Sequence, residues 1–405
     1  MAIGRRQVLV GGSLATAATV MGAARENSAA ASPARSAVRP GSVHEETKSL
    51  QQLYREAKAE GGTLTVYAGG DTATQQDGNK AAFEKAFPGV TVNMVVDYSK
   101  FHDARVDNQL DTRTLVADVV QLQTLQDFPR WKNQGVLLPY KPAGFSRIHP
   151  AFKDRDGAWT GIFVDAFSTI YNIDQVGAKA PATAVDLLDP RWKGRIVSTY
   201  PNDDDAVLYL YKLIVDKYGW DWLNRFVAQD VAWVRGTQEP ADRVEAGSAA
   251  VALGTDGALT PGAGVKTRFL VPTHDPFMAW AQRAAILAGA RHPAAAKLYL
   301  NWWLSKQTQS DFYMWSVRTD VAPPQGYRPI WDYPNANLDG FDRFMSDRGL
   351  AERFRQQLAL YVGEVKGDPS PGWLGLHARP GAGRPGNRRT GEGHLPHRAV
   401  SLAGS

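Results

Sequence analysis

The 405-residue chain contains no cysteine. That excludes a disulfide framework, a thiolate zinc site, an iron–sulfur cluster and a cysteine nucleophile, whichever compartment the protein occupies. Other catalytic signatures are missing too. There is no Gly-x-Ser-x-Gly elbow and no His-Glu-x-x-His pair, and residues 41–372 hold only five histidines: His44, His102, His149, His274 and His292. A carboxylate pair of the glycosidase type leaves no local signature, so a secreted hydrolase stands as the alternative from another class. No segment reaches the ~18 apolar residues of a membrane-spanning helix, which predicts a soluble mature protein. At roughly 100–200 residues per domain the length suits two lobes.

A formal net charge of +5 invites a nucleic-acid partner, but the charge is unevenly placed. Residues 1–40 carry five Arg against one Glu, and residues 373–405 carry the same balance. Residues 41–372 are left with 36 basic and 39 acidic residues. The body is mildly acidic and has no basic stripe interleaved with aromatics, so no nucleic-acid partner is expected.

Neither end reads as fold. Arg5-Arg6 precedes a weakly apolar run of Gly, Ala and Thr and then Ala29-Ala30-Ala31. This matches an export signal and resembles a twin-arginine one, whose pathway carries folded proteins across the bacterial inner membrane. Residues 1–40 are therefore assigned to an export signal and linker, and the mature protein to the periplasm or cell surface. Residues 373–405 are rich in Gly, Pro and Arg and nearly free of bulky apolar side chains, the composition of a disordered basic tail. His377, His394 and His397 there lack the regular spacing of a metal tract.

The body alternates strand and helix. Helical spacing covers Glu46 to Glu60 and ends at Gly61-Gly62; a strand follows at 63–67, a helix through Phe83 and Phe87, a strand at 90–96, a helix from Asp103 to Leu110 and a buried strand at 117–120. The second half repeats the grammar. It has a long apolar run from Phe163 to Asn172, a strand at 194–198, helices from Asp204 to Tyr218 and Trp220 to Ala228, strands at 231–234 and 249–253 around a helix near Pro240, and helices from Pro293 and Leu350. Nearly all-apolar strands between amphipathic helices indicate an α/β fold, each lobe a mainly parallel sheet covered on both faces. A ligand would sit between the lobes, where the carboxyl ends of the strands meet.

Several segments carry a resemblance: Leu64-Thr65-Val66-Tyr67, Phe83-Glu84-Lys85-Ala86-Phe87-Pro88-Gly89-Val90, Ala117-Asp118-Val119-Val120, Pro190-Arg191-Trp192-Lys193-Gly194-Arg195, and above all His292-Pro293-Ala294-Ala295-Ala296-Lys297 followed by Ser305-Lys306-Gln307-Thr308-Gln309. From about residue 62 to 372 the chain resembles the solute-binding proteins of bacterial ABC importers, and looks most like their ferric-iron-type branch. The resemblance implies a type 2 periplasmic-binding-protein fold, with lobe 1 at 62–163 plus 277–312 and lobe 2 at 164–276 plus 313–372. Hinge strands at Phe163–Asn172 and Pro276–Trp280 would let the lobes close on a solute. It also implies a monomer, no cofactor, no catalysis, and delivery of the solute to an ABC permease in the membrane.

Iron-binding members supply two adjacent tyrosines after a strand of the second lobe. The matching position here reads Gly254-Thr255-Asp256-Gly257, without the pair, and Tyr209 and Tyr211 stand two apart on a predicted helix. A ferric-iron carrier is therefore the lesser alternative, and no metal ligands are assigned. By the family's geometry the loops facing the ligand carry Gly70, Asp71, Thr72, Gln121, Gln123, Asp165, Tyr200, Asp203, Thr255 and Asp256, with Tyr67 and Trp280, and also Tyr98 and Phe163, as aromatic walls. Carboxylates on four of five such loops favour a small cationic or polyhydroxylated solute over an anion. Asn202-Asp203-Asp204-Asp205 also has the composition of a helix N-cap and first turn.

Overall fold

The computed structural model describes residues 43–177 and 179–368. The export signal and the basic tail read from the sequence lie outside the described residues. The described strands are β1 (Thr63–Gly69), β2 (Thr91–Asp97), β3 (Val119–Leu122), β4 (Thr160–Asn172), β5 (Ile196–Thr199), β6 (Ala232–Val234), β7 (Val251–Thr255), β8 (Thr267–Phe269) and β9 (Met278–Ile286). The α-helices are α1 (Leu50–Ala59), α2 (Asp77–Ala86), α3 (Ser99–Asp111), α4 (Asp127–Asn133), α5 (Ile173–Val176), α6 (Asp205–Val227), α7 (Gln238–Glu245), α8 (Pro293–Trp303), α9 (Lys306–Asp311), α10 (Gly340–Ser346) and α11 (Arg348–Val362).

The strands run in the order β2-β1-β3-β9-β4-β7-β5-β6, with β8 added to β4. β1, β2 and β3 are mutually parallel, and so are β5, β6 and β7. These are the two strand–helix sets expected from the sequence, one per lobe. β9 runs antiparallel to β3 and β4, and β4 antiparallel to β7, so these two long strands join the sets. β4 pairs with β9 from Thr160 to Phe167 and with β7 from Ser168 to Tyr171, and the register shifts between Ser168 and Thr169.

Both faces of each strand set are covered. In the first lobe Leu53, Phe83, Leu298, Tyr299 and Trp303 pack on one side of the sheet and Phe128, Trp131 and Trp159 in a second cluster. In the second lobe Leu208, Tyr211, Trp222 and Phe226 of α6 meet Phe341, Phe344 and Phe354 of α10 and α11. Tyr209 packs on Phe341 and Phe344, and the Tyr211 hydroxyl pairs with Ser198, so both tyrosines belong to this core.

Several boundaries differ from the sequence reading, α3 for one starting at Ser99 rather than Asp103. α1 starts at Leu50 rather than near Glu46, because Ser49 and Gln52 form a capping box. The two helices expected around Gly219 form one span, α6, interrupted where Gly219 takes φ 78°, ψ 172°. β7 extends through Gly254 and Thr255, residues expected in a loop, because Thr255 still pairs with Ser168 of β4 after the β5 pairing has ended at Leu253.

The first turn of α8 has Pro293 at its start and no side-chain cap of its own. Its amides are served from elsewhere: Glu60 accepts from Ala294 and Ala295 N–H, and Asp118 from those of Arg291 and His292. After α8, Ser305 caps α9 and Gln309 is buried. Its amide donates to the Trp303 carbonyl at 2.8 Å and accepts from Ser316 Oγ at 2.8 Å.

Candidate functional site

The carboxyl ends of β1, β3, β5, β6 and β7 converge, and the segments leaving them carry the polar groups of the site. The turn after β6 is set by threonines on neighbouring strands: Thr199 Oγ1 donates to the Gly236 carbonyl at 2.7 Å and Thr255 Oγ1 to the Thr237 carbonyl at 2.6 Å. With both carbonyls taken, the Thr237 and Gln238 N–H groups point outward at the start of α7. The carboxylate of Asp71, on the loop after β1, accepts from Gln238 N at 2.9 Å, Thr237 Oγ1 at 2.8 Å and Thr237 N. Gly236 has φ +75°, and a side chain there would meet Asp71 Cγ at 3.0 Å, so the approach requires glycine. Burial pushes the Asp71 carboxyl above its ordinary range against the opposing pull of these donors.

Two further contacts bridge the same segments. Lys100, in the first turn of α3, lies 2.6 Å from Asp203 Oδ1, and Arg235 grips Asp203 with two hydrogen bonds of 2.8 and 3.0 Å. The two cations hold Asp203 below the usual carboxylate range despite its burial. Asp204 caps α6 through the Ala206 and Val207 N–H groups and accepts from Gln123 Nε2 at 3.0 Å. Burial raises Asp204 to about 6. Asp205 is taken by Arg355 of α11.

Behind these lie Asp165 of β4 and Asp256 just past β7. Asp256 accepts from the Tyr313 hydroxyl at 2.7 Å. Asp165 has no hydrogen-bond or ion-pair partner among the described residues. Burial first, and then the charges of Asp256 and Asp71, raise it well above the ordinary value. Asp256 is raised as well, chiefly by burial. Tyr98 faces Asp71, Asp203 and Asp204, and burial followed by the Asp71 charge pushes its hydroxyl far up. A cavity of about 50 Å³ lies elsewhere, beside Leu125, Arg283 and Asp342. Among the described residues no three His, Asp or Glu side chains converge as metal ligands.

The structure thus brings together Asp71, Gln123, Asp165, Asp203 and Asp256 from the residues singled out in the sequence, with Tyr98 beside them. It places others inside the lobes. Tyr67 is buried, stacked on His102 with its hydroxyl on Gln109. Gln121 is fully buried, its carbonyl and amide committed to Gln282, Tyr299 and Gln76. Tyr200 is buried and stacks with Trp233. Trp280 packs on Phe167 and Phe341, and Phe163 on Trp303 and Phe312. Thr255 holds the Thr237 turn from within β7. Gly70 is half-buried, bonded to the Asp97 carbonyl, and Thr72 is exposed. Sequence reasoning missed Lys100, Arg235, Gly236, Thr237, Gln238 and Tyr313. Gly236-Thr237 before Gln238-Glu239-Pro240 is a readable helix start; for Lys100 and Tyr313 there was no local signal.

Residues 117–315 match the family profile described as bacterial extracellular solute-binding protein. Solved structures share the fold. Iron-bound HitA from Pseudomonas aeruginosa is 19% identical with a TM-score of 0.57, the match covering 73% of this chain and 99% of that one. AfuA from Actinobacillus pleuropneumoniae, with fructose-6-phosphate bound, is 19% identical with a TM-score of 0.60, over 75% and 99%. Apo ferric ion-binding protein A from Pasteurella haemolytica is 16% identical with a TM-score of 0.54, over 74% and 98%. No curated protein matches the sequence. The fold is that of the type 2 periplasmic binding proteins, and the stretch from 117 to 315 is similar to the bacterial extracellular solute-binding family. The matched profile and these neighbours are described as binding proteins, and among the described residues no helix is long and apolar enough to cross a membrane.

Proposed function

We propose that the protein is exported, by a twin-arginine-like signal, to the periplasm or cell surface. There it acts as a monomer that captures a small cationic or polyhydroxylated solute between the lobes and hands it to an ABC permease. Asp165 and Asp256, with Asp71 and Tyr98 beside them, would form the binding group, and no bond is made or broken. The observation that carries this reading is Asp165, a carboxylate without a partner among the described residues, facing two further carboxylates. The nearby cations Lys100 and Arg235 are committed to Asp203. A solute that brings positive charge or hydroxyl donors would relieve that arrangement, and an anion would worsen it.

The test is mass spectrometry of whatever solute leaves protein purified without refolding, followed by thermal-shift titration with diamines, polyols, ferric salts and inorganic phosphate. Amines or polyols are expected to raise the melting temperature in proportion to the logarithm of their concentration. A rise with phosphate alone would overturn the cationic reading, and steady conversion of a solute by the pure protein would overturn the binding role.

A further inference from the structure

Asp71 belongs to the strand set of the first lobe, and its three donors belong to the second. The pair is 166 residues apart in sequence, and the geometry at both ends is prepared. Thr199 and Thr255 orient the Thr237 turn, Gly236 clears the approach, and Gln75 Oε1 accepts from the Asp71 N–H to hold the loop. A carboxylate received by two amides and a hydroxyl at a helix start is the contact an anionic ligand would make; here the chain makes it with its own side chain. Lys100 to Asp203 and Gln123 to Asp204 cross between the same two sets of loops.

We propose that these contacts form a latch: Asp71 acts as an intramolecular ligand that closes the protein on itself when no solute is present, with Lys100 and Asp203 as its second clasp. The inference rests on the two-lobed fold and holds whichever solute is bound. Its consequence for binding is that solute enters only during transient opening, so the observed association rate levels off with concentration instead of rising without limit.

Other charged groups around the latch are accounted for. Arg235 remains on Asp203 within the second lobe. Asp204 stays on the α6 amides, and Tyr98 faces both sides of the contact. Removing the Asp71 carboxylate therefore takes the acceptor from the Thr237 and Gln238 donors and leaves the Lys100 and Gln123 contacts as the remaining ties between the lobes.

The experiment uses the full-length, solute-free protein as wild type, Asp71→Ala and Lys100→Ala, each checked for native far-ultraviolet circular dichroism. Small-angle scattering is expected to give a larger radius of gyration for both variants and the largest for the double variant. Hydrogen exchange at the Thr237 and Gln238 amides is expected to quicken at least about tenfold in Asp71→Ala, the loss associated with a charge-assisted hydrogen bond. Should Asp71→Ala fail to fold, Thr237→Ala removes one donor from the opposite side and is expected to shift the same readings in the same direction. An unchanged radius together with unchanged protection in a folded variant overturns the latch. Because these readings need no solute, they stand or fall separately from the proposed ligand class.

Discussion

Asp118 and His292 lie 174 residues apart, yet the Asp118 carboxylate accepts from both the backbone N–H of His292, at 2.9 Å, and its ring Nδ1–H, at 3.0 Å. The same carboxylate takes the amides of Thr65 and Arg291. One buried side chain thus joins the start of β1, the approach to β3 and the start of α8. The histidine that opens the family-like helix motif has a structural assignment.

Asp118→Ala strands four donors at once. At about 1–3 kcal/mol for each donor that stays buried and unsatisfied, a loss of several kcal/mol is expected in urea unfolding, with Asp118→Asn intermediate. A loss below ~1 kcal/mol for the alanine variant would show that water replaces the carboxylate.

Arg105 and Asp97 form an ion pair at 2.9 Å in which both side chains are more than nine-tenths buried, and Arg105 also donates to His102 Nδ1. Arg105→Ala is expected to cost about 3–5 kcal/mol, the usual consequence of leaving one partner of a buried pair behind. The same equilibrium unfolding experiment reads it. A volume-matched apolar replacement of both partners should cost far less.

The pH dependence of Asp204 has a definite sign. Its folded value of about 6 stands above the ordinary carboxylate value, so between about pH 4 and 6 the folded protein holds a proton that the unfolded chain has released. The group therefore adds stability as pH falls through 6 and withdraws it as pH rises. Asn keeps the α6 cap without the charge. Asp204→Asn should be at least as stable as wild type at pH 7, and that advantage should vanish at pH 4. A difference in melting temperature that is the same at both pH values contradicts the assignment.

His102 runs the other way. Burial, then the Arg105 charge, lowers it to about 3, so its contribution is lost as pH falls below its ordinary value near 6.5. The two groups oppose each other in mild acid, and the Asp204 effect is therefore read as a difference between wild type and variant.

For the proposed binding role, Asp165→Asn should weaken an amine or polyol ligand at least about tenfold, the effect of losing one charged hydrogen-bond partner. The unliganded melting temperature should stay level or rise, since the variant removes a buried carboxyl that has no partner among the described residues. Isothermal titration and thermal shift measure the two halves, and unchanged affinity would remove Asp165 from the site.

The strands of each lobe and the strong helices were legible because their signals are local. The apolar runs of β3, β4 and β7 read as buried strands, and Pro293 reads as a helix start. Residues 254 and 255 were misplaced because β7 is prolonged there by the pairing of Thr255 with Ser168 of β4, a partner no local window contains. The loops after β1, β3 and β5 were also legible as loops, since each follows a parallel strand, whereas Asp165, expected in a loop, lies within β4. Which of their side chains would meet was not. Tyr67, Gln121 and Trp280 have the chemistry of a binding wall and were absorbed by packing, while Lys100 and Tyr313 carried no signal and reached Asp203 and Asp256.

The sequence by itself determined the excluded chemistries, the acidic body beneath a positive total, the alternating strand–helix grammar and the absence of the tyrosine pair. These follow from composition and from periodicities within some 10–20 residues. Only the tertiary structure decided that Asp203 is neutralised by two cations, that Asp71 is spent across the lobes, and that Asp165 lacks a partner among the described residues. A carboxylate's state depends on burial and on charges within a few ångströms, and here those neighbours lie 30 to 170 residues away along the chain.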